Sequence, residues 1–313
     1  MSTAVVALGG NALALPGEPP TVANQFRHAR ESMAMVVELA RTGWDIVLVH
    51  GNGPQVGDEL ARNAAARPRV SPLPLGLLVA ETAGWIGYML QQSLQNALAA
   101  ARIPRPVITV VTQTLVDRYD PALRRPTKPV GHALDPREVE QLREAGLSVG
   151  QDGAGHWRRM ATSPRPLGVV ELPVLRTLLA AGTVVIAAGG GGAPVYDDPL
   201  LGLEGVDAVV DKDRVAAILA TQLEAEALLI LTNVEAVYQD WGTPVARPIR
   251  RLTVAEAEAL IHGGGLDEGG MKPKMEAATD FARATGGRAI IARLNDGPAA
   301  LRGERGTLIT REP

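Results

Sequence analysis

Three lysines lie where a flexible ammonium group would be held in place. Lys128 stands between two prolines in PTKPVG, Lys212 follows a strand-like run in VDKD, and Lys274 lies at the start of a predicted helix in GGMKPKMEAA. A lone lysine in a loop is usually only solvated, but a stiff loop and two helix starts favour contact with an anion. Lys272 is the alternative to Lys274 as the third anion-binding lysine.

Two aspartates flank Lys212. Asp211 and Asp213 bracket it at the predicted start of a helix, where an acid caps and stabilises the first turn. One of the two is therefore expected to be a helix cap. An acid between cations also orients them, and a carboxylate beside nucleotide phosphates is the usual environment of Mg²⁺.

Three glycine-rich turns follow predicted strands. They are LGGNAL, HGNGPQVG and AAGGGGAPV, which contain Gly9, Gly10 and Asn11, then Gly51, Asn52 and Gly53, then the glycines 189–192. At the carboxyl ends of parallel strands, bare backbone N–H groups can approach an anion. Each turn alone is more simply a tight turn, but three together favour a phosphate site. Their spacing matches neither a P-loop nor a dinucleotide-binding fingerprint.

The segment TNVEAVYQDWGTP follows the apolar run ALLIL. Its apolar residues Val234, Val237 and Tyr238 would form one wall of an adenine site. Ordinary core packing followed by a turn explains them equally well.

The elements that must position these residues alternate between strand and helix. Buried strands are predicted at TAVVAL, DIVLVH, PVITVVT, TVVIAAG, ALLILT and RAIIAR, and helices over roughly 21–42, 55–66, 75–101, 172–181, 213–223, 254–262 and 272–285. This alternation predicts an α/β fold with right-handed parallel βαβ units.

One segment interrupts the alternation. Residues 116–167 are rich in Pro, Arg and Gly and contain no long apolar run, so we expect a small protruding lid subdomain over a site. A second change in composition near 198–207 predicts an N-terminal lobe over 1–205, which includes the lid, and a C-terminal lobe over 206–313. The site is then expected in the cleft between the lobes.

The composition narrows the class of protein. The chain has 313 residues, 46% of them apolar, a net charge of -3 and no cysteine. There is no basic excess for binding nucleic acid, and disulfides and thiolate chemistry are excluded. Because the sequence has neither a signal peptide nor an apolar run that spans a bilayer, we expect a cytoplasmic protein without a membrane partner.

Read together and in order, the motifs resemble the carbamate kinases of the amino acid kinase family. The resemblance extends over nearly the full length, through VVALGGNAL, VHGNGPQVG, ETAGWIGY, RPTKPVG, WRRMATSPRP, GGGGAPV, GVDAVVDKD, LILTNVEAV and GGMKPKMEAA. It implies a three-layer αβα sandwich with an open, mainly parallel sheet, and a homodimer. It also implies that the N-terminal lobe holds the acid substrate and the C-terminal lobe the nucleotide.

The resemblance implies reversible phosphoryl transfer between ATP and carbamate with Mg²⁺, toward ATP when arginine is broken down. By matching position, carbamate and the transferred phosphoryl would be bound by Gly9, Gly10, Asn11, Gly51, Asn52 and Gly53. Lys128 would enter from the lid, and Lys212 and Lys274 would hold nucleotide phosphates and neutralise the transition state. Asp213 would orient these lysines, with Asp211 near them or near the metal.

The lid departs from the family pattern. The family commonly has an arginine near the position of Gly155 and a small residue at that of His156. The acceptor is therefore left open between carbamate and another small carboxylate or phosphonate. A nucleotide-binding regulatory protein without catalysis is the alternative of a different class.

Overall fold

The structure is a computed structural model, and it describes residues 2–9, 13, 18–67, 69–264, 266 and 270–312. Gly10 and Asn11, two residues expected at the site, lie outside the described residues. Of the helices within these ranges, none combines the length and the hydropathy that crossing a bilayer requires.

Short apolar runs form the strands. In chain order they are β1 (Thr3–Leu8), β2 (Asp45–His50), β3 (Val107–Thr109), β4 (Gln113–Val116), β5 (Lys128–Val130), β6 (Val149–Gln151), β7 (Trp157–Ala161), β8 (Pro166–Val169), β9 (Val184–Ile186), β10 (Ala193–Asp198), β11 (Gly202–Gly205), β12 (Ala227–Thr232), β13 (Val237–Gln239), β14 (Arg247–Ile249), β15 (Arg251–Thr253), β16 (Arg288–Arg293) and β17 (Thr307–Thr310). Each strand predicted from the sequence is among them.

Helices connect most of the central strands. They are α1 (Val22–Arg41), α2 (Gly53–Ala66), α3 (Leu75–Ala100), α4 (Pro136–Glu144), α5 (Leu172–Ala180), α6 (Lys212–Gln222), α7 (Val254–His262), α8 (Met271–Thr285) and α9 (Gly297–Leu301). Every predicted helix is present, with its ends within two residues of the predicted ones. The helices α4 and α9 were not predicted.

An eight-stranded sheet forms the centre of the molecule. Its order is β15-β17-β16-β12-β1-β2-β9-β3, and within the described residues its pairs are parallel apart from β16 with β17. Val5 and Ala7 of β1 face one apolar core, and Val6 and Leu8 face the other. Helices α6 and α8 cover the first core and α1 and α3 the second, so the expected α/β sandwich is confirmed.

The strands β1, β2 and β12 end at one edge of this sheet. Leu8 is level with His50 on β2 and with Leu231 on β12. Beyond the strands, the Gly9 N–H donates to the Leu231 carbonyl at 3.1 Å, and the Gly51 N–H donates to the Leu8 carbonyl at 3.1 Å. Gly9 and Gly51 therefore lie side by side where open α/β sheets bind their ligands.

The lid segment contains its own small sheet. Strands β5, β7 and β6 pair in that order and are antiparallel, and α4 lies between β5 and β6 in the chain. One face of this sheet, with Val130 and Ala161, packs against Val56 of α2 and Val79 of α3. Four other strands form a separate sheet in the order β11-β10-β4-β8. The division of the chain into two lobes at 205 stays a prediction.

Candidate active site

The carboxylate of Asp213 joins two of the three lysines. One of its oxygens lies 2.5 Å from Lys212 Nζ and the other 3.1 Å from Lys274 Nζ. Lys212 is the first residue of α6, and Lys274 lies in the first turns of α8, so two helix starts hold the two ammonium groups. Asp213 is almost fully buried, with 3% of its surface exposed.

Asp211 brings in the third lysine. Its Oδ2 lies 2.9 Å from Nζ of Lys128, which is in the lid strand β5. Its Oδ1 accepts the backbone N–H groups of Asp213 and Arg214 and so caps α6. The predicted helix cap and the predicted contact with a cation are thus made by the same carboxylate.

Burial and charge oppose each other in this cluster. Burial by itself raises the pKa of Asp213, but Lys212 and Lys274 outweigh it and keep the pKa below its ordinary value. The pKa of Asp211 is likewise held well below its ordinary value by Lys128 and Lys212, against burial. Burial lowers the pKa of Lys212, and Asp213 counteracts it. Three ammonium groups and two carboxylates leave one net positive charge for an anion.

The cluster uses most of the lysines in the chain. Only four of the 31 lysine and arginine residues are lysines, and three of those four are Lys128, Lys212 and Lys274. The remaining cations are arginines, which are wide, planar and fixed in charge. A compact ammonium on a flexible stem suits a crowded anion site better, which gives a physical reason for this distribution.

The tetraglycine turn closes one side of the site. Gly190 and Gly191 have φ of +66° and +95°, which other residues rarely adopt. A Cβ atom on Gly190 would lie 2.0 Å from Asn52 Nδ2, and one on Gly191 would lie 2.2 Å from the Val210 carbonyl oxygen. All four glycines are buried. This turn therefore packs the start of α2 against the segment that leads to Asp211.

The other glycines of the expected site differ in their surroundings. Gly9 and Gly51 donate their N–H groups to neighbouring strands, so in this structure those two groups are already used. Gly53 is exposed at the start of α2, with no heavy atom within 4 Å of a Cβ placed there. Of the described glycines in these two turns, Gly53 is thus the one with open space around it.

The buried side chain of His50 is hydrogen-bonded to the second glycine turn. Its Nδ1 donates to the Gly51 carbonyl at 3.0 Å, the role of a structural histidine. The side chain is fully buried, and burial lowers its pKa to about 4, although the backbone around Gly51 and Ala83 favours the protonated ring. Lys212 lowers the pKa further. The imidazole is therefore neutral at physiological pH.

The residues expected around adenine follow β12. Val234 and Tyr238 are both half-buried, and the Tyr238 ring packs on Trp241 with ring centres 5.0 Å apart. Among the hydrogen bonds, ion pairs and ring contacts of the described residues, none joins Tyr238 to the lysine cluster.

Arg159 is a further cation that the sequence analysis did not select. It lies on β7, where the pairing of Val130 with Arg159 and of Lys128 with Ala161 puts Arg159 on the same face as Lys128. Diagonal neighbours of this kind are about 7–8 Å apart. Its side chain is only 17% exposed, and the nearest acid, Asp207, is 4.0 Å away, beyond hydrogen-bond distance. Burial lowers the pKa of Arg159, and Asp207 opposes this.

A groove lies elsewhere on the molecule. It has a volume of about 450 Å³ and lies between Arg165 and the start of β8, α6 and α8, and none of the three lysines lines it. Its arginines are paired with acids, Arg165 with Asp280 at 3.3 Å and Arg214 with Glu276 at 2.8 Å. These two arginines of the groove are therefore already neutralised by acids.

The chain belongs to the amino acid kinase family, whose sequence model matches residues 2–293. Its relatives in that family include several carbamate kinases. It is 40% identical over 309 residues to the carbamate kinase of Pyrococcus horikoshii, with 98% of each chain covered. It is 42% identical to the carbamate kinase of Escherichia coli, with 99% of this chain and 100% of the relative covered.

A solved structure agrees with these relatives. Carbamate kinase from Giardia lamblia bound to AMP-PNP has a TM-score of 0.91 and 37% identity to this chain. The match covers 99% of this chain and 98% of the other. The resemblance inferred from the ordered motifs is confirmed.

Proposed function

We propose that the protein is a carbamate kinase, a phosphotransferase that catalyses ADP + carbamoyl phosphate ⇌ ATP + carbamate. The observation that carries this proposal is the meeting of Lys128, Lys212 and Lys274 on the adjacent carboxylates of Asp211 and Asp213. The carbamate kinases to which the chain is similar over nearly its whole length support the choice of acceptor.

The reaction requires little proton chemistry. The bond between phosphorus and the acyl oxygen breaks, a bond from phosphorus to an ADP oxygen forms, and carbamate leaves as an anion. No proton is gained or lost, so a general base is unnecessary. The protein has to align the two oxygens and stabilise the negative charge that spreads over the transferred group.

Lys212 and Lys274 are suited to that second task. Their ammonium groups are largely buried and share one carboxylate, so they are held in place before substrate binds. Donors fixed in a site of low polarity stabilise a developing charge strongly because they need no reorganisation. We assign both lysines to the nucleotide phosphates and the transition state, and Asp213 to their orientation.

Lys128 connects the lid to the proposed active site through its contact with Asp211. Its ammonium contacts Asp211 and is about one third exposed, which leaves it accessible from the cleft. We assign it to the phosphoryl group in transfer. Because Asp211 also caps α6, the contact aligns the lid with the helix that begins at Lys212.

The edge of the sheet is assigned to the acid substrate. The residues proposed to bind carbamate and the phosphoryl group are Gly9, Gly10, Asn11, Gly51, Asn52 and Gly53. Two features support this assignment: the turns at Gly9 and Gly51 lie side by side, and the start of α2 at Gly53 is open. The positive end of α2 favours an anion there.

The nucleotide is assigned to the C-terminal lobe, residues 206–313. Asp211, Lys212 and Lys274 would lie at its phosphates, and Val234 and Tyr238 at its base. The N-terminal lobe, residues 1–205, would hold the acid substrate and the lid. The half-buried Tyr238, stacked on Trp241, supports the base site.

Mg²⁺ is proposed as the cation that accompanies the nucleotide. In the described part of the chain, no group of three or more His, Asp or Glu side chains is placed to hold a metal. The residues fit an ion bound mainly by phosphate oxygens, with Asp211 as the one carboxylate beside it. When bound, Mg²⁺ would neutralise phosphate charge, a role that the lysines share.

A homodimer is proposed from the edge of the central sheet. β3 ends the sheet and pairs only with β9 among the described strands. Tyr88, Ile108 and Val111, on or beside this edge, are 56%, 40% and 51% exposed. Apolar side chains at an open strand edge are unfavourable in water and favour pairing with a second copy.

We place the enzyme in the cytoplasm, where its nucleotide substrates are available, with arginine breakdown as the expected source of carbamoyl phosphate.

The test is direct. Purified protein is given ADP, carbamoyl phosphate and MgCl₂, and ATP is followed with a coupled assay, with a parallel reaction in excess chelator. We expect ATP only when carbamoyl phosphate and Mg²⁺ are both present. In the reverse direction, carbamate, acetylglutamate, aspartate and a phosphonate are compared as acceptors of the ATP phosphoryl group. Transfer to one of the others and not to carbamate would contradict the proposal.

A further inference from the structure

Asn52 stands at the N-cap of α2 but does not cap it. An asparagine at this position normally accepts a backbone N–H of the first turn with its side-chain oxygen. Here the side chain makes no such bond. Instead its amide nitrogen Nδ2 donates to Thr82 Oγ1 at 2.9 Å, across to helix α3.

The hydroxyl of Thr82 fixes which end of the amide faces it. Oγ1 lies 2.7 Å from the Leu78 carbonyl oxygen and 3.0 Å from that of Val79. Carbonyl oxygens only accept hydrogen bonds, so the single hydroxyl proton is directed to them. Toward Asn52 the hydroxyl can therefore only accept. With the hydroxyl proton on these carbonyls, Nδ2 of the amide donates to Thr82 and Oδ1 points the other way.

Gly190 also packs against the side-chain amide of Asn52. A Cβ atom on Gly190 would lie 2.0, 2.4 and 2.7 Å from Nδ2, Cγ and Oδ1 of Asn52, so the flat amide lies against that glycine. Thr82 is completely buried and Asn52 is 8% exposed. Within the described residues, Oδ1 of Asn52 has no hydrogen-bond donor. An acceptor with no donor among the described residues thus lies beside the open start of α2.

An acceptor is unusual in a site built to bind anions. The lysines and the backbone around Asn52 donate hydrogen bonds, as the carboxylate and phosphoryl oxygens of the substrate require. The amino group of the carbamoyl moiety is the one part of the acyl substrate that can itself donate. It is therefore the chemical partner that an oriented Oδ1 selects.

We propose that Asn52 Oδ1 accepts an N–H of the carbamoyl group, and that Thr82 is a positioning residue that keeps Oδ1 facing the substrate. This inference rests on the proposed carbamate kinase activity and deepens it. The pair selects acyl phosphates with an amino group over those in which a methyl group takes its place. When bound substrate covers Oδ1, a methyl group in place of the amino group would leave this acceptor without a donor, so we expect a preference of about tenfold to a hundredfold.

The test compares carbamoyl phosphate with acetyl phosphate, which has the same shape but a methyl group for the amino group. For each, kcat/KM for ATP formation is measured in the wild type and in Asn52→Ala, Thr82→Val and Thr82→Ser. Asn52→Ala and Thr82→Val should each lower the preference for carbamoyl phosphate at least fivefold. Thr82→Ser, which keeps the hydroxyl, should retain it. Thermal unfolding shows which variants are folded.

The outcomes separate this inference from the function on which it rests. If the wild type makes ATP from neither acyl phosphate, the proposed function and the inference both fail. If the wild type makes ATP but shows no preference, or if folded Asn52→Ala retains the wild-type preference, only the inference fails. Should Thr82→Val not fold, Asn52→Ala and Thr82→Ser decide the question.

Discussion

Lys274 and Asp213 are 61 positions apart in the chain, and their side chains meet at 3.1 Å. The contact joins the start of α8 to the start of α6. Because the other oxygen of Asp213 binds Lys212, one buried carboxylate sets the spacing of two ammonium groups. This shared anchor is the feature that makes the cluster suitable for phosphoryl transfer.

Removing the charge of Asp213 should damage both activity and stability. In Asp213→Asn two buried ammonium groups lose their counter-ion, so the rate of ATP formation should fall at least about a hundredfold. The free energy of unfolding should fall by about 3–5 kcal/mol, measured by urea denaturation. Asp280→Asn is the matched control, because Asp280 is an exposed acid on α8 and its loss should cost less than about 1 kcal/mol. Equal effects of the two changes would contradict the anchor role.

Arg159 should bind the acyl phosphate from the lid. Arg159→Ala should raise the KM for carbamoyl phosphate roughly tenfold or more, with a smaller change in kcat, because it removes a charged donor to an anion. Arg159→Lys should recover part of the loss. Arg125→Ala, an exposed arginine of the same segment, should leave KM unchanged. A KM within twofold of the wild type in folded Arg159→Ala would remove this residue from the site.

His50 should make the protein less stable in mild acid. Its pKa is about 4 in the folded protein against an ordinary 6.5, so between these values the unfolded chain takes up a proton that the folded chain does not. Stability from this source is present above pH 6.5 and is lost as the pH falls toward 4, by about 2 kcal/mol at pH 5.

The measurement is urea unfolding at about pH 7.5 and pH 5 for the wild type and for His50→Gln. Comparing the two proteins cancels the other titrating groups. The wild type should lose about 2 kcal/mol more than the variant between the two pH values. An identical loss in both proteins would show that His50 does not set this pH dependence.

The proposed dimer should depend on the edge strand β3. Ile108→Lys places a charge on that edge and should convert the dimer to a monomer in analytical ultracentrifugation. Leu200→Lys is the control: Leu200 is 91% exposed in the turn between β10 and β11, so its change should leave the assembly intact. A wild type that sediments as a monomer would disprove the dimer, and one that resists Ile108→Lys would place the interface elsewhere.

The central strands and helices could be predicted because their patterns are strong. Strands such as β1 and β12 are buried on both faces and appear as continuous apolar runs. The helix α4 was missed because its segment contributes one buried residue, Val139. A local signal was nonetheless present: Asp135 and Glu138 form a capping box around Pro136.

The site could be predicted only in part. The lysines and aspartates were selected because each lies at a turn or a helix start, and the structure brings them together. Thr82 lies within a long helix and Arg159 within a short lid strand, so no local pattern marks them. Their significance depends on which residues of other elements they face, and that is set by the packing of α3 and of the lid.

The most direct test of the account is the rate of ATP formation from ADP and carbamoyl phosphate in Lys212→Ala, with Lys272→Ala as the control. We expect Lys212→Ala to lose at least about 10²–10³ in rate while its thermal unfolding stays cooperative. Lys272→Ala should stay close to the wild type. A folded Lys212→Ala protein with wild-type turnover would contradict the claim that lysines held by the two aspartates stabilise the phosphoryl group in transfer.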